Sequence, residues 1–376
     1  MGKRVLLLGA YGQNNIGDET LLEVFLRKLE NCSIFVGSRK PEDTSKKYGV
    51  PSFRMYGDYR RLLRLLISSD VIIFGGGSLL KELNPYVTRR WRYSVLFFVL
   101  ASVILGKLLG KKVVFSAISV GRLKSTFSKI LVKITLMFVD MITVRDEYSG
   151  LILQKLGYGH ALVVADPTLL VRDFRRTTTS VENLNRSSRL KVGICPVYNF
   201  EDDSFLSYSH LVKTLSRFAD YVVEEYGAEV FLIPFQAGYG FLDDLKLNRS
   251  ILRHVKHKSR IFLVSDINSV EDMLSLFEKM DLVIGMRLHS IVFSFLERKP
   301  FLAIIYDIKV ENFLKDVGLE KYSVKLSEFG LNELKTKFKE VMNEREDIIE
   351  KIERKIPLMM KKANLNFEHL KHLLEA

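Results

Sequence analysis

The sequence predicts an α/β protein of two domains, each a parallel sheet covered by helices on both faces. Three observations predict it. Short apolar runs with no polar alternation recur from end to end, the pattern of strands buried on both sides. Segments of helical period separate them, as parallel crossovers require. A polar, aperiodic stretch, Arg175–Arg189, divides the 376 residues into halves, and a hydrophobic content of 47% lets each half bury a core.

In the first half, strands are predicted at Arg4–Gly9, Ser33–Gly37, Asp70–Phe74, Lys112–Ala117, Met141–Val144 and Leu162–Ala165. Most are blocks of Val, Ile, Leu or Phe. Leu21–Leu29 and Ser128–Phe138 repeat apolar residues at helical period. Tyr93–Gly106 is almost wholly apolar between basic flanks (Arg89, Arg90, Arg92; Lys107, Lys111, Lys112). It is too short to span a bilayer comfortably and reads as a buried helix between two strands. The alternative is a monotopic membrane-docking helix. In the second half, strands are predicted at Lys191–Cys195, Glu229–Pro234, Ile261–Leu263, Leu282–Gly285 and Phe301–Tyr306, and helices at His210–Tyr226, Val270–Lys279 and Ser290–Glu297. The expected boundaries are a first domain over residues 1–174, a linker over 175–189, a second domain over 190–330 and a charged helical tail over 331–376.

The chain carries 57 Lys and Arg against 44 Asp and Glu, a formal charge of +13. Such an excess favours anionic partners: phosphorylated metabolites, a lipid headgroup surface or nucleic acid. The charges are scattered, with no basic block or interleaved aromatic stripe, so nucleic acid ranks low. Cys32 and Cys195 lack metal-ligand spacing and read as reduced and buried, which suits the cytosol. Val5–Leu8 is too short to be a secretory core. No set of His, Cys or carboxylates has metal spacing, so no metal is expected.

The chemistry collects at the carboxyl ends of the predicted strands, where open α/β sheets bind ligands. After the first strand comes Gly9-Ala-Tyr-Gly-Gln-Asn-Asn-Ile-Gly-Asp-Glu19. Its spacing is not a dinucleotide fingerprint, and Asp18 with Glu19 would repel a pyrophosphate. Asn14, Asn15 and Asp18 suit sugar hydroxyls, and Asp18 is the expected helix cap. Gly75, Gly76, Gly77 and Ser78 follow a strand and suggest close approach to the backbone. Ser119, in Ser119-Val-Gly121, is a similar and weaker turn. Arg145 stands at a strand end beside Asp146. Gln236 lies in the loop Pro234–Gly240, with Asp243 and Asp244 beyond it. In Asp281–Ser290 a strand runs into Arg287 and His289 as a helix begins. Lys309, after the next strand, belongs on the same rim. Three cation-capable groups on one rim fit a polyanionic ligand with proton transfer nearby.

These residues, in this order, resemble the polysaccharide pyruvyl transferase family. The matching segments are Tyr11–Glu19, Phe74–Ser78, Ile118–Gly121, Val144–Ser149, Ala165–Pro167, Gly285–Ser290 and Tyr306–Lys309. One departure is Arg122, where members commonly carry proline. The resemblance covers the chain to about Tyr322 and implies a GT-B-like pair of Rossmann-type domains with the active site in the cleft. It implies transfer of a pyruvyl group from phosphoenolpyruvate to two hydroxyls of a sugar, as a cyclic ketal, with no further cofactor. By that resemblance Arg287, His289, Lys309 and Arg145 are the donor-binding and catalytic positions. The acceptor is then a glycan or its lipid-linked precursor, handled in the cytoplasm, with peripheral membrane association in keeping with the basic surface. Two other readings stay open: a sugar-nucleotide-dependent glycosyltransferase of the same fold, and a non-catalytic basic anion-binding protein.

Overall fold

The computed structural model describes residues 2–85, 91–174, 188–198, 206–238, 243–265, 267 and 269–375. Arg89, Arg90, residues 175–187 of the expected linker, and Tyr239 and Gly240 lie outside them. The chain forms two compact units, residues 1–174 with 359–376, and residues 175–358.

The strands of the first unit are β1 (Arg4–Leu8), β2 (Ser33–Ser38), β3 (Ser52–Arg54), β4 (Val71–Gly75), β5 (Lys112–Ile118), β6 (Met141–Val144) and β7 (Leu162–Val163). They form one parallel sheet in the order β3-β2-β1-β4-β5-β6-β7. Val5 to Leu8 and Val71 to Phe74 are buried throughout, which is why these strands read as unbroken apolar runs. The chain reverses direction across the sheet between β1 and β4, the position where open sheets leave a crevice. Helix α1 (Ile16–Lys28) follows β1 and α2 (Pro41–Tyr48) follows β2. Helices α3 (Tyr59–Ser68), α4 (Ser94–Leu108), α5 (Thr126–Leu136) and α6 (Glu147–Lys155) precede β4, β5, β6 and β7.

The second unit repeats the scheme. Strands β8 (Lys191–Cys195), β9 (Glu229–Leu232), β10 (Ile261–Leu263), β11 (Leu282–Gly285), β12 (Phe301–Ile305) and β13 (Ser323–Lys325) lie in the parallel order β10-β9-β8-β11-β12-β13. Here the reversal falls between β8 and β11. Helices α7 (Tyr208–Tyr226), α8 (Asp244–His254), α9 (Val270–Glu278), α10 (Leu288–Leu296), α11 (Ile308–Val317) and α12 (Leu331–Asn343) cover it. A last helix, α13 (Arg345–Glu375), contributes its residues from Met359 onward to the first unit. There the Phe367 ring meets Phe25 of α1 edge-on, 5.2 Å between centroids.

Several local expectations need correction. Asn15, not Asp18, caps α1: its side chain accepts from the Gly17 N–H, and Asp18 sits inside the first turn. The short strands β3 and β13 carry too few apolar residues to stand out. Cys32 is half-buried rather than buried; Cys195 is buried. Helix α4 does lie between two strands, but only part of it is buried; Phe97, Leu105 and Leu108 face solvent.

Candidate active site

In the first unit the rim is built on Tyr11. Its ring lies over Gly9, where an added Cβ would come within 2.5 Å of it, and its phenol donates to the Gly75 carbonyl at 2.6 Å. Gly75 and Gly9 are therefore glycine to admit this side chain, and the β1–β4 crevice is crossed by the protein's own phenol. Burial pushes the Tyr11 hydroxyl well above its ordinary pKa, with Asp18 and Glu19 adding to the effect. Glu19 is tied inward: it accepts from the Gly12 N–H (2.9 Å) and the Tyr48 hydroxyl (2.9 Å). Asn15 Nδ2 donates to Asp18 (2.8 Å), while Asn14 is exposed in the left-handed region, φ 52. The turn after β4 holds the next residues: Gly76 and Gly77 have positive φ, and the Ser119 N–H donates to the Gly77 carbonyl (2.9 Å). Ser78 is half-buried beside them.

Ser119 and Arg145 meet. Arg145 Nε donates to Ser119 Oγ (2.6 Å), its Nη1 donates to Asp166 Oδ2 (2.6 Å), and Ser119 in turn donates to Asp146 (3.1 Å). Arg145 thus pairs with Asp166 rather than with its neighbour Asp146, which caps α6 through the Ser149 N–H. Strand β5 slips register between Phe115 and Ile118, and Ala117 stands at φ 50. Such an irregularity re-aims the residues that follow it, here Ser119.

In the second unit Arg287 and Gln236 come together around Asp244. Arg287 donates from Nε (2.9 Å) and Nη2 (2.7 Å) to the two carboxylate oxygens of Asp244, and from Nη2 to Gln236 Oε1 (3.1 Å). The backbone N–H groups of Phe235 and Gln236 also donate to Asp244. Burial raises the Asp244 carboxyl above its ordinary pKa, against the pull of Arg287 and the two backbone donors. His289 lies half-buried in the first turn of α10, two residues past Arg287. Gly285 pairs with Ala303 across β11 and β12, so Lys309 leaves the neighbouring strand end. Its Nζ is 3.3 Å from Asp307 and 5.8 Å from the centre of the Tyr306 ring.

Each of the cations Arg145, Arg287 and Lys309 therefore already faces a carboxylate. These carboxylates orient the two guanidinium groups and offset part of the positive charge of all three. Asp166, which lies in the matching segment Ala165–Pro167 but is not among the sequence's candidate residues, holds Arg145, and Asn366, which the sequence does not mark, accepts from Ser116 and Thr143. In the sequence Asp244 stands out only as an acidic residue beyond the Gln236 loop; its partner comes from 43 positions away. Among the described residues no group of His, Cys, Asp and Glu could hold a metal ion.

The two sheets define the class: a two-unit α/β protein of GT-B-like fold. Solved structures bear this out at the level of fold. Over 99% of this chain and 100% of the other, it superposes on UDP-GlcNAc 2-epimerase from Neisseria meningitidis bound to UDP-GlcNAc, with a TM-score of 0.65 at 10% identity. Over 99% of both chains it superposes on Anabaena Alr3699/HepE in complex with UDP and glucose (TM-score 0.61, 12% identity). UDP-GlcNAc 2-epimerase from Methanocaldococcus jannaschii gives 0.59 at 12% identity over 93% of this chain and 92% of that one. No curated protein sequence matches the chain. The sequence profile described as polysaccharide pyruvyl transferase matches residues 15–308. The chain belongs to that family.

Proposed function

We propose that the protein transfers the pyruvyl group of phosphoenolpyruvate to two hydroxyls of a glycan or lipid-linked saccharide at the inner face of the membrane, releasing phosphate. The observation that carries this reading is the second unit's rim, where Arg287, His289 and Lys309 leave two adjacent strand ends. Phosphoenolpyruvate presents a carboxylate and a phosphate close together, and guanidinium forks match the planar carboxylate. A proton added to the methylene carbon makes the adjacent carbon cationic. One sugar hydroxyl attacks it and loses its proton; phosphate leaves; the second hydroxyl closes the ketal and loses its own. His289 serves as the proton carrier, and Arg287 and Lys309 stabilise the departing phosphate. Arg145, held by Ser119 and Asp166 in the first unit, is the further residue that the family resemblance assigns to the donor. Asn14, Asn15, Asp18 and Ser78 face the acceptor. The test is phosphate release from phosphoenolpyruvate with a panel of free and lipid-linked glycans, with mass analysis for an added pyruvyl ketal. A His289→Ala protein at wild-type turnover would remove His289 from the mechanism.

The fold is shared with proteins solved with UDP or UDP-GlcNAc, which keeps a sugar-nucleotide donor as the rival. Against it, Asp243 caps α8 and Asp244 is engaged by Arg287, so neither is disposed to hold a ribose. Thermal-shift measurements separate the two, since only the true donor raises the melting temperature.

A further inference from the structure

One face of the first unit is dressed for something other than water. Helices α3, α4 and α5 precede β4, β5 and β6, which succeed one another in one direction across the sheet, so right-handed crossovers set all three on one face. Helix α4 packs against both neighbours. On α3 the spacing of Arg60, Leu63, Arg64 and Ile67 puts them on one outward stripe, and all four are exposed. On α5 the outward stripe is Ile130, Ile134 and Met137, with exposed Lys129 and Lys133 beside it. Between them α4 is largely apolar, with Lys107 near its end, and Leu108 is 79% exposed, Met137 just past the end of α5 74%. An exposed aromatic row ties the helices together: Trp91 stacks on Phe97 (4.9 Å), and Phe97 touches Phe127 of α5 (6.0 Å). An apolar groove of about 760 Å³ runs between α3 and α4.

Charge chooses the occupant. None of the three helices contains Asp or Glu, in a chain with 44 of them. Three carboxylates at the border are committed: Asp58 caps α3, Asp140 holds Lys107, and Glu82 binds the start of α5. A second copy seated on this face through a two-fold axis would set its arginines and lysines against their own kind. An anionic bilayer offers acyl chains for the apolar stripes and phosphates for the cations, with Trp and Tyr at the boundary.

We propose that the α3–α4–α5 face of the first unit docks on the surface of an anionic membrane, with Leu63, Ile67, Leu108 and Met137 entering the headgroup boundary. The inference deepens the lipid-linked-acceptor reading and rests on it only for its biological purpose, because vesicle binding is measured without donor or acceptor.

The full chain is sedimented with vesicles of equal parts phosphatidylglycerol and phosphatidylcholine, and with phosphatidylcholine alone. Binding is expected to the anionic vesicles, weakened at least about tenfold in Leu108→Glu/Met137→Glu and about fivefold per arginine in Arg60→Gln and Arg64→Gln. Circular dichroism confirms that each variant folds, and phosphate release with a free saccharide is expected to match the wild type. The proposal is overturned if wild-type protein stays in the supernatant with anionic vesicles, or if the glutamate variant binds as well as wild type. A dimer that Met137→Glu dissociates, without vesicle binding, would assign the face to a second copy instead.

Discussion

Arg287 and Asp244 form a two-pronged ion pair inside the second unit, Nε to Oδ2 at 2.9 Å and Nη2 to Oδ1 at 2.7 Å. The carboxylate also holds the loop after β9 through two backbone N–H groups. One buried side chain thereby fixes both the guanidinium and the Gln236 loop. Asp244→Asn keeps the volume and removes the charge, leaving a buried cation uncompensated. We expect a loss of about 3 kcal/mol in urea unfolding. Arg287→Lys supplies a point charge that cannot bridge both oxygens. Its kcat/KM for phosphoenolpyruvate is expected to fall about 10²–10³-fold, as when a preorganised donor is lost; an unchanged value would detach Arg287 from the donor.

The Tyr11 phenol and Gly75 are matched pieces. A Cβ on Gly75 would sit 2.6 Å from the Tyr11 hydroxyl and 2.8 Å from Leu7 Cδ1. Tyr11→Phe loses one buried hydrogen bond and is expected to cost about 1 kcal/mol. Gly75→Ala alone overpacks the crevice and is expected to cost about 1–3 kcal/mol. The double variant should cost less than the two singles added, because the clashing hydroxyl is gone. Strict additivity in denaturant titrations would show that the contact does not constrain Gly75.

How far the sequence carries the reader depends on which physics marks a residue. Lys191–Cys195, Ile261–Leu263 and Leu282–Gly285 read to the residue, because an unbroken apolar run bounded by polar residues has one plausible register. Ser52–Arg54 and Ser323–Lys325 do not, since three residues at a sheet edge need little apolar content. Arg287, His289 and Lys309 stand out because charged groups at strand ends are rarely needed for packing. Asp18 was mistaken for a cap because Asn15 and Asp18 have the same chemistry three residues apart, and only backbone geometry decides between them. The partnerships of Asp166, Asp244 and Asn366 are set by long-range folding: Asp166 falls in a matching segment and Asp244 follows the Gln236 loop, yet no local pattern says which arginine each will hold, and Asn366 carries no mark at all.

Glu82 predicts an acid-side instability. Half-buried, it accepts from the Ser125 N–H (2.7 Å) and from Ser128 Oγ (2.6 Å), anchoring the start of α5. Burial alone would raise its carboxyl, but the bonds from Ser125 and Ser128, with Arg92 nearby, outweigh it and lower the pKa below the ordinary 4.5. Its contribution is then present in full above that ordinary value and is lost as the pH falls through the lowered one. Glu82→Gln is expected to lose about 1–2 kcal/mol at neutral pH. The variant should also show a flatter fall in stability between neutral and acid conditions. A parallel pair of pH–stability curves would mean that Glu82 does not titrate differently on folding.

Asn366 reaches the site from the far end of the chain. Its Oδ1 accepts from Ser116 Oγ (2.9 Å) and Thr143 Oγ1 (2.6 Å), and Thr143 Oγ1 accepts from the Ala117 N–H (2.6 Å). These bonds brace the irregular turn of β5, where Ala117 holds φ 50 and Ser119 is aimed at Arg145. Asn366→Leu fills the space but strands two buried hydroxyls. The expected stability loss is about 2–3 kcal/mol, since each orphaned group costs about 1 kcal/mol or more. If the brace also positions Ser119 and Arg145, kcat/KM should fall more than Ser119→Ala alone lowers it. A variant that unfolds earlier yet keeps full kcat/KM at low temperature would limit Asn366 to holding helix α13 against the sheet.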